Sequence, residues 1–189
     1  MGRSAIIGTH FYFLPEGITV DTLTVGSTVK PDHEPATNWT DYKVTAIEKT
    51  DIENDISTVS IRTPIDDVGS GVPGGVYQAK DELAQQQNIQ IILTCAEINQ
   101  TVWEAIWLAT VVQASTGVYT PLAASGLKKG WARLAQYDHA NTLVNTVEFW
   151  CTLSLNGQVS FSEDDVTRTQ LRLKVLQNTL NSGNLVSFF

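Results

Sequence analysis

The side chains that most often carry enzyme chemistry are few and scattered in this sequence. Its histidines, His10, His33 and His139, lie in three separate segments, and none has the HExxH spacing of a zinc site. His139 follows Asp138, but both lie in a stretch that is typical of a solvated surface turn. No serine lies in a GxSxG elbow. The sequence therefore predicts a protein that is not an enzyme and that holds no metal or cofactor.

Acidic residues cluster in three places, where they are candidates for catalytic carboxylates or cation ligands: Asp51–Asp55, Asp66-Asp67 and Glu163–Asp165. The first cluster lacks the alternating DxDxDG pattern of a calcium loop. All three fall where strands are expected to turn, so solubility is the favoured interpretation of their charge. The Gly-rich stretch from Pro64 to Tyr77 lacks GxxxxGK[ST] and is not followed directly by a helix, which favours a long loop over a phosphate site.

Aromatic side chains offer a possible binding surface. Trp103 and Trp107 form an i, i+4 pair on a helical pattern, and such a pair more often packs or forms an interface than stacks on a sugar or a base. A carbohydrate-binding platform would use Trp39 or Trp150.

The two cysteines, Cys95 and Cys151, each lie in an apolar strand pattern without a CxxC motif. Buried free thiols are the first expectation, and a bridge between neighbouring strands stays open.

Composition sets the broad class. The 189 residues are 42% hydrophobic, which is enough for one β-rich domain with a core. The net charge of −8 argues against a surface that binds DNA phosphates tightly. No apolar run is long enough to span a membrane, so we expect no membrane association.

The elements that must position these residues are organised around the stretch from Ile89 to Ala109. It begins as a strand through Cys95 and changes to a helical pattern at about residues 98–110, for which Asn99 is the expected N-cap. This is the only convincing helix in the sequence. Because one short apolar helix is unstable alone, we expect it to cover a sheet edge or a neighbouring subunit.

The rest of the sequence has the alternating pattern of strands. Further strands are predicted at Ile18–Val25, Tyr42–Thr50, Ile56–Thr63, Trp131–Tyr137, Leu143–Leu155 and Thr167–Leu176. The second and third of these are expected to form a hairpin that turns at Asp51–Asp55, and Asn156-Gly157 predicts a tight turn into Gln158–Phe161. The predicted fold is mainly β, a sandwich or barrel of two antiparallel sheets flanked by one helix.

A single domain over residues 1–189 is expected, with long loops at about 64–78 and 111–128. Both ends of the chain are apolar, at about residues 1–16 and 178–189. These ends are interpreted either as arms that dock on partner subunits or as tails that fold back on their own core. The candidate arm residues are Phe11, Phe13, Phe188 and Phe189.

The order of elements resembles a known family. Trp39-Thr40-Asp41 precedes a hairpin, a Gly-rich loop and a strand that runs into a single helix. A block then starts at Gly130-Trp131 and continues through the long strand, an acidic interruption and a last amphipathic strand to a T-L-N-S-G ending. Over roughly Thr37 to Val186 this pattern resembles the tail tube proteins of long-tailed bacteriophages.

This resemblance implies a protein of the phage particle that is assembled in the host bacterial cytoplasm. Six-membered rings of identical subunits would stack into a hollow tube through which DNA passes without specific binding. The implied partners are other copies of the chain, a tape-measure protein in the lumen, and the tail terminator and baseplate or tip proteins. Whether the tail contracts stays open.

The polar faces of the last two long strands supply the candidate lumen-lining or interface residues: Thr146, Glu148, Thr152, Gln170, Arg172 and Lys174. Trp103 and Trp107 are the candidates for helix packing or an interface. Two alternatives remain: the inner tube of a type VI-like secretion system, which has the same fold, and a monomeric β-sandwich module that binds carbohydrate or protein.

Overall fold

The computed structural model describes residues 6–20, 22–30, 45–64, 77–107, 128–159, 168–178, 180 and 186–188. The chain separates into two compact units. The first comprises Met1–Ile52 and Gln90–Phe189, and the second comprises Glu53–Ile89.

The described residues are mainly in strands. In chain order the elements are β1 (Ile6–Pro15), β2 (Thr19–Val20), β3 (Leu23–Thr24), β4 (Thr45–Pro64), β5 (Tyr77–Cys95), α1 (Gln100–Trp107), β6 (Lys128–Asp138), β7 (Leu143–Leu155), β8 (Thr169–Val175) and β9 (Val186–Phe188). They form one large sheet and a separate two-stranded sheet of β2 and β3. The predicted class, a mainly β sandwich or barrel with one short helix in the described part of the chain, is confirmed.

The large sheet closes on itself within the first unit. The hydrogen-bonded neighbours run β6–β1–β4–β5–β8–β7, and β7 also pairs with β6. Between the start of β4 and the residue that follows β5, the Ala96 amide donates to the Ala46 carbonyl at 3.0 Å. β9 lies along the same edge of β7 as β8, with Phe188 opposite Val147. Closure satisfies the backbone groups that an open sheet leaves exposed at its edges.

The inside of this barrel is apolar because the strands alternate. Its fully buried side chains include Phe11, Phe13, Leu93, Cys95, Phe149, Cys151, Leu153, Leu171 and Leu173. Packing is tight where the end of β1 pairs with β6. A Cβ on Gly130 would lie 2.4 Å from the Leu14 carbonyl oxygen and 2.7 Å from the Phe13 ring, so only glycine fits there.

A second, smaller core lies on the outer face of β1, β6 and β7. Leu14, Trp131 and Trp150 project outward from these strands and pack with Val20 and Val25 from the segment that contains β2 and β3. The middle of β7 is consequently buried on both faces. The alternation of β7 predicted one apolar and one polar face, so the burial of the second face was missed.

The helix begins as predicted. The Val102 amide donates to the Asn99 side-chain oxygen at 3.3 Å, and the Trp103 amide donates to the Asn99 carbonyl at 3.0 Å, which confirms Asn99 as the N-cap. Val102 and Ala105 are fully buried, and α1 contacts β7 and β8. The structure describes α1 to Trp107, and residues 108–110 of the prediction lie outside the described residues.

Two turn predictions are wrong. β4 is one continuous strand of 20 residues, so the chain does not turn at Asp51–Asp55. Pairing with β5 satisfies the backbone of β4, while the acidic side chains remain accessible to water. After Gly157 (φ +82°), residues 158–159 are not in a strand, and residues 160–161 of the prediction lie outside the described residues. At this end β7 pairs with β8, with Leu155 opposite Leu171.

The described part of the second unit comprises residues 53–64 of β4 and 77–89 of β5, which we call the ribbon. The Gln87 side chain donates to the Asn54 side chain at 3.4 Å between the two strands. The pairings of the described residues with β1 and β8 involve only Thr45–Ile47 and Gln90–Cys95. Among the described residues, the ribbon therefore has two strands and no third.

Candidate assembly surfaces and a buried charge cluster

The six candidate lumen residues separate into two groups. Thr146, Glu148 and Thr152 of β7 are buried, whereas Gln170, Arg172 and Lys174 of β8 are exposed. The prediction of an exposed polar face is therefore wrong for β7. The reason is clearest at Glu148, where the segment that contains β2 and β3 and ends at Lys30 covers β7. For β8 the alternation of buried and exposed residues is confirmed, and its place in a lumen stays a prediction.

Glu148 is the centre of a buried charge cluster. One carboxylate oxygen forms an ion pair with Lys30, and the other lies 3.5 Å from Nη1 of Arg133. The Arg133 and Glu148 backbones are directly opposite in the β6–β7 pair. Desolvating a carboxylate is costly, and the attraction of the Lys30 and Arg133 cations compensates for that cost. The cluster joins the segment ending at Lys30 to the barrel wall.

Aromatic contacts hold the same segment in place. The Trp131 indole N–H donates to the Gly26 carbonyl at 3.0 Å, and the Lys30 ammonium lies 5.5 Å from the centre of the Trp131 ring. Trp131 meets Trp150 edge to face at 5.6 Å. Trp150 is thus a core residue and not a carbohydrate platform, which corrects that alternative, while Trp39 lies outside the described residues.

The sequence contains a signal for part of this cluster. Arg133 and Glu148 are isolated charges within apolar strands, and each lies two residues from a tryptophan. Asp138 and Asn141 mark the turn between the strands, and that turn sets the register that brings the two charges together. Only the contribution of Lys30, 118 residues away from Glu148, needed the tertiary structure.

An exposed basic face lies elsewhere on the barrel. Arg172 and Lys174 project to solvent from β8, and Lys174 is opposite Thr152, which is opposite the exposed Lys129 of β6. Arg172, Lys174 and Lys129 form no ion pair with a residue that the structure describes. We call these three residues the basic face.

The ribbon presents a different surface. Ile56, Val59 and Leu83 are exposed by 48%, 41% and 54% of their surface. Arg62 and Lys80 also belong to the ribbon, but their side chains lie outside the described ones; the charged side chains that the structure describes there are Glu53, Asp55, Asp81 and Glu82. These three aliphatic side chains leave apolar surface of the ribbon accessible to water.

The candidate arm and interface aromatics have different positions. Phe11 and Phe13 are fully buried inside the barrel because β1 pairs with β4 on one edge and β6 on the other, so the arm prediction is wrong for both. Phe188 lies in β9, paired with β7 of its own chain, and Phe189 lies outside the described residues. Their role between rings is untested.

The helix tryptophans differ in exposure. Trp103 is partly buried, and Trp107 at the end of α1 is 45% exposed. Trp107 is therefore the one of the pair with a large accessible surface, and an interface role for it stays a prediction.

Cys95, Cys151 and Asp138 have pKa values that their surroundings shift. Cys95 and Cys151 are separate buried thiols, so the question of a bridge is answered. Burial, with a smaller contribution from Glu97, raises the pKa of Cys95 to about 12, and burial also raises the pKa of Cys151. The Asp138 carboxylate accepts hydrogen bonds from the amides of Thr142 and Ala140, which lower its pKa and identify it as a turn residue.

Neither a metal-binding cluster nor a membrane-spanning helix is present among the described residues. Within the described ranges, no group of three or more His, Cys, Asp and Glu residues is placed to hold a metal ion. The acidic clusters Asp66-Asp67 and Glu163–Asp165 lie outside those ranges. In the described part of the chain, no helix has the length and apolar character needed to cross a membrane.

Comparisons with known proteins give little further information. No family model matches the sequence, and no curated protein matches it. Among solved structures, the chain is similar to one in the cryo-EM structure of the anti-feeding prophage (AFP) baseplate. The TM-score is 0.44 at 11% sequence identity, over 100% of this chain and 97% of that chain. A likeness at this level assigns neither a family nor a role.

Proposed function

We propose that this protein is a structural component of a phage particle that assembles into stacked hexameric rings and forms the hollow tail tube through which DNA is ejected. In this role the lumen holds a tape-measure protein before ejection, and terminator and baseplate or tip proteins contact the two ends of the tube. DNA passes through without specific binding. The ring size and these partners come from the sequence resemblance.

The observation that carries the proposal is the ribbon. A two-stranded element is marginally stable in water, and this one exposes Ile56, Val59 and Leu83. Burying such side chains against another protein is favourable by about 25 cal/mol per Å² of apolar surface. An assembling subunit needs such an unsatisfied element, whereas a monomeric binding module does not.

Self-association also requires a complementary surface on the same chain. Ring and stack contacts are heterologous, because one patch contacts a different patch on the next copy. The first unit has exposed apolar side chains of its own at Trp107, Leu143 and Val144. These residues supply apolar surface for such a second patch.

The alternatives make different predictions. The inner tube of a type VI-like secretion system has the same fold and would give the same rings, so only the genomic neighbourhood of the gene separates it from a phage tube. Of the two tryptophans that a monomeric carbohydrate-binding module could use, Trp150 is only 3% exposed in a core and is therefore not accessible to a ligand.

The test is negative-stain electron microscopy of the concentrated protein together with its mass in solution. Rings or hollow tubes are expected for the wild type, and monomers for the double variant Ile56→Asp/Leu83→Asp. Leu23→Asp is the matched control, because Leu23 is 50% exposed in the first unit, and this variant should still assemble. A wild type that stays monomeric at every concentration would refute the proposal and favour a binding module.

A further inference from the structure

The basic face is unusual for a protein with a net charge of −8. Arg172 and Lys174 are two residues apart on β8, so both project from the same side of that strand. Lys129 extends the positive charge across β7 to β6. The described residues that surround Arg172 and Lys174 on this face are uncharged: Gln90, Thr152, Ser154 and Gln170. Acidic residues lie at the margins of the face, where the Glu16 amide donates to the Lys129 carbonyl and Glu48 pairs with Arg168. Among the described residues, Arg172 and Lys174 therefore have no acidic residue directly opposite them on the neighbouring strands.

The ribbon offers the complementary arrangement. Glu53 and Asp55 are also two residues apart on one strand, and both are exposed. Two residues along a strand span about 7 Å, so the two carboxylates have the same spacing as the Arg172 and Lys174 side chains. On the ribbon, Val59 lies on the same side of β4 as these two carboxylates. On the barrel, Ile92 is opposite Arg172 and supplies an apolar neighbour at the basic face.

We infer that the basic face of one copy receives the acidic strand of the ribbon, at Glu53 and Asp55, from a neighbouring copy. This inference rests on the proposed function and specifies the surfaces that meet. Two matched ion pairs fix the register and the choice of partner, while the aliphatic residues supply the burial. Both members of the contact are present on every copy, which lets the contact repeat along an assembly.

A nucleic acid is the other polyanion that such a face could attract. The observations favour the ribbon because a chain with a net charge of −8 repels phosphate at long range. The ribbon also offers apolar side chains beside its carboxylates, which a phosphate backbone does not.

The experiment reverses the charges on each side separately. The face variant is Arg172→Glu/Lys174→Glu, and the ribbon variant is Glu53→Lys/Asp55→Lys. Each alone should raise the concentration needed for assembly by about tenfold or more, because like charges then meet. An equimolar mixture of the two should assemble again, since every contact between unlike variants is complementary. Glu97→Lys, which reverses an exposed acid of the first unit, should assemble like the wild type.

The outcomes separate this inference from the proposed function. If the wild type forms rings and both variants do so at the same concentration, or if the mixture does not recover, the inference is overturned and the proposed function stands. A wild type that never assembles overturns both. The third measurement is binding of a fluorescent DNA fragment at low salt. DNA binding that the face variant loses, with assembly unchanged, would identify a polyanion surface and overturn the inference.

Discussion

Leu93 and Leu83 lie ten positions apart in the same strand, β5, yet one is fully buried and the other is 54% exposed. Leu93 belongs to the barrel, where each strand has hydrogen-bonded neighbours on both edges. Leu83 belongs to the ribbon, where the described residues form two strands only. The same type of residue in the same strand is therefore core in one unit and available surface in the other.

The difference separates a core that is complete within one copy from apolar surface that the proposed assembly would bury. The barrel has two cores, one inside and one under the segment that contains β2 and β3, and both are complete within the subunit. On the ribbon, Ile56, Val59 and Leu83 are exposed. Under the proposed function, stability depends on the barrel core, whereas association uses the ribbon together with the outer surface of the barrel. Substitutions in the core and in the ribbon should therefore have separable effects.

The largest effect on stability is expected for Glu148→Ala. It leaves the buried Arg133 and the largely buried Lys30 without their shared carboxylate, which costs about 3–5 kcal/mol in the free energy of unfolding. Glu82→Ala, the same change at an exposed site on the ribbon, should alter that free energy by less than about 0.5 kcal/mol. Chemical denaturation measures both, and equal effects would contradict the contrast between the two units.

A smaller or similar loss is expected for Leu93→Ala. Removing a fully buried leucine creates a cavity and costs about 2–5 kcal/mol, whereas Leu83→Ala should change stability by less than about 0.5 kcal/mol. Assembly should show the reverse order at protein concentrations where both variants are folded. If Leu83→Ala destabilises the isolated subunit as strongly as Leu93→Ala, then the ribbon is part of a core within one copy.

The smallest effect concerns the partly desolvated outer face of the barrel. Burial, and then a hydrogen bond with Tyr137, raise the pKa of Tyr12 from 10.0 to about 12. Because the fold favours the protonated phenol, its contribution to stability is complete below pH 10 and is lost as pH rises from 10 to about 12. Ultraviolet titration of tyrosinate should show this late ionisation, and Tyr12→Phe should remove it. Ionisation of Tyr12 near its ordinary pKa would show that water reaches the site.

Periodicity predicted most of the barrel because the side chains that fill it come from regular strands. The alternation of β8, the run from β5 into α1 and the N-cap at Asn99 were all accessible from local pattern. The turn expected at Asp51–Asp55 was not correct, because acidic residues are as compatible with an exposed strand as with a turn. Local composition does not reveal that a partner strand is available to satisfy the backbone of β4.

The candidate residues followed the same division. Sequence identified Arg172 and Lys174 as exposed polar positions, since their neighbours Leu171 and Leu173 alternate with them. It also assigned Phe11 and Phe13 to an arm and Glu148 to an exposed face. Those assignments failed because burial depends on which segments pack against a strand, and both β1 and β7 are covered by parts of the chain distant in sequence.

The sequence alone determined the β class, the alternating faces, the single helix of the described chain and the acidic balance, because each depends on residues close together along the backbone. The tertiary structure decided the closure of the barrel, the ion pairs that bring Lys30 to Glu148, and the contrast between a complete barrel and an exposed ribbon. Each of these requires long-range pairing, and the entropic cost of closing such long loops is offset only when the whole set of contacts forms together.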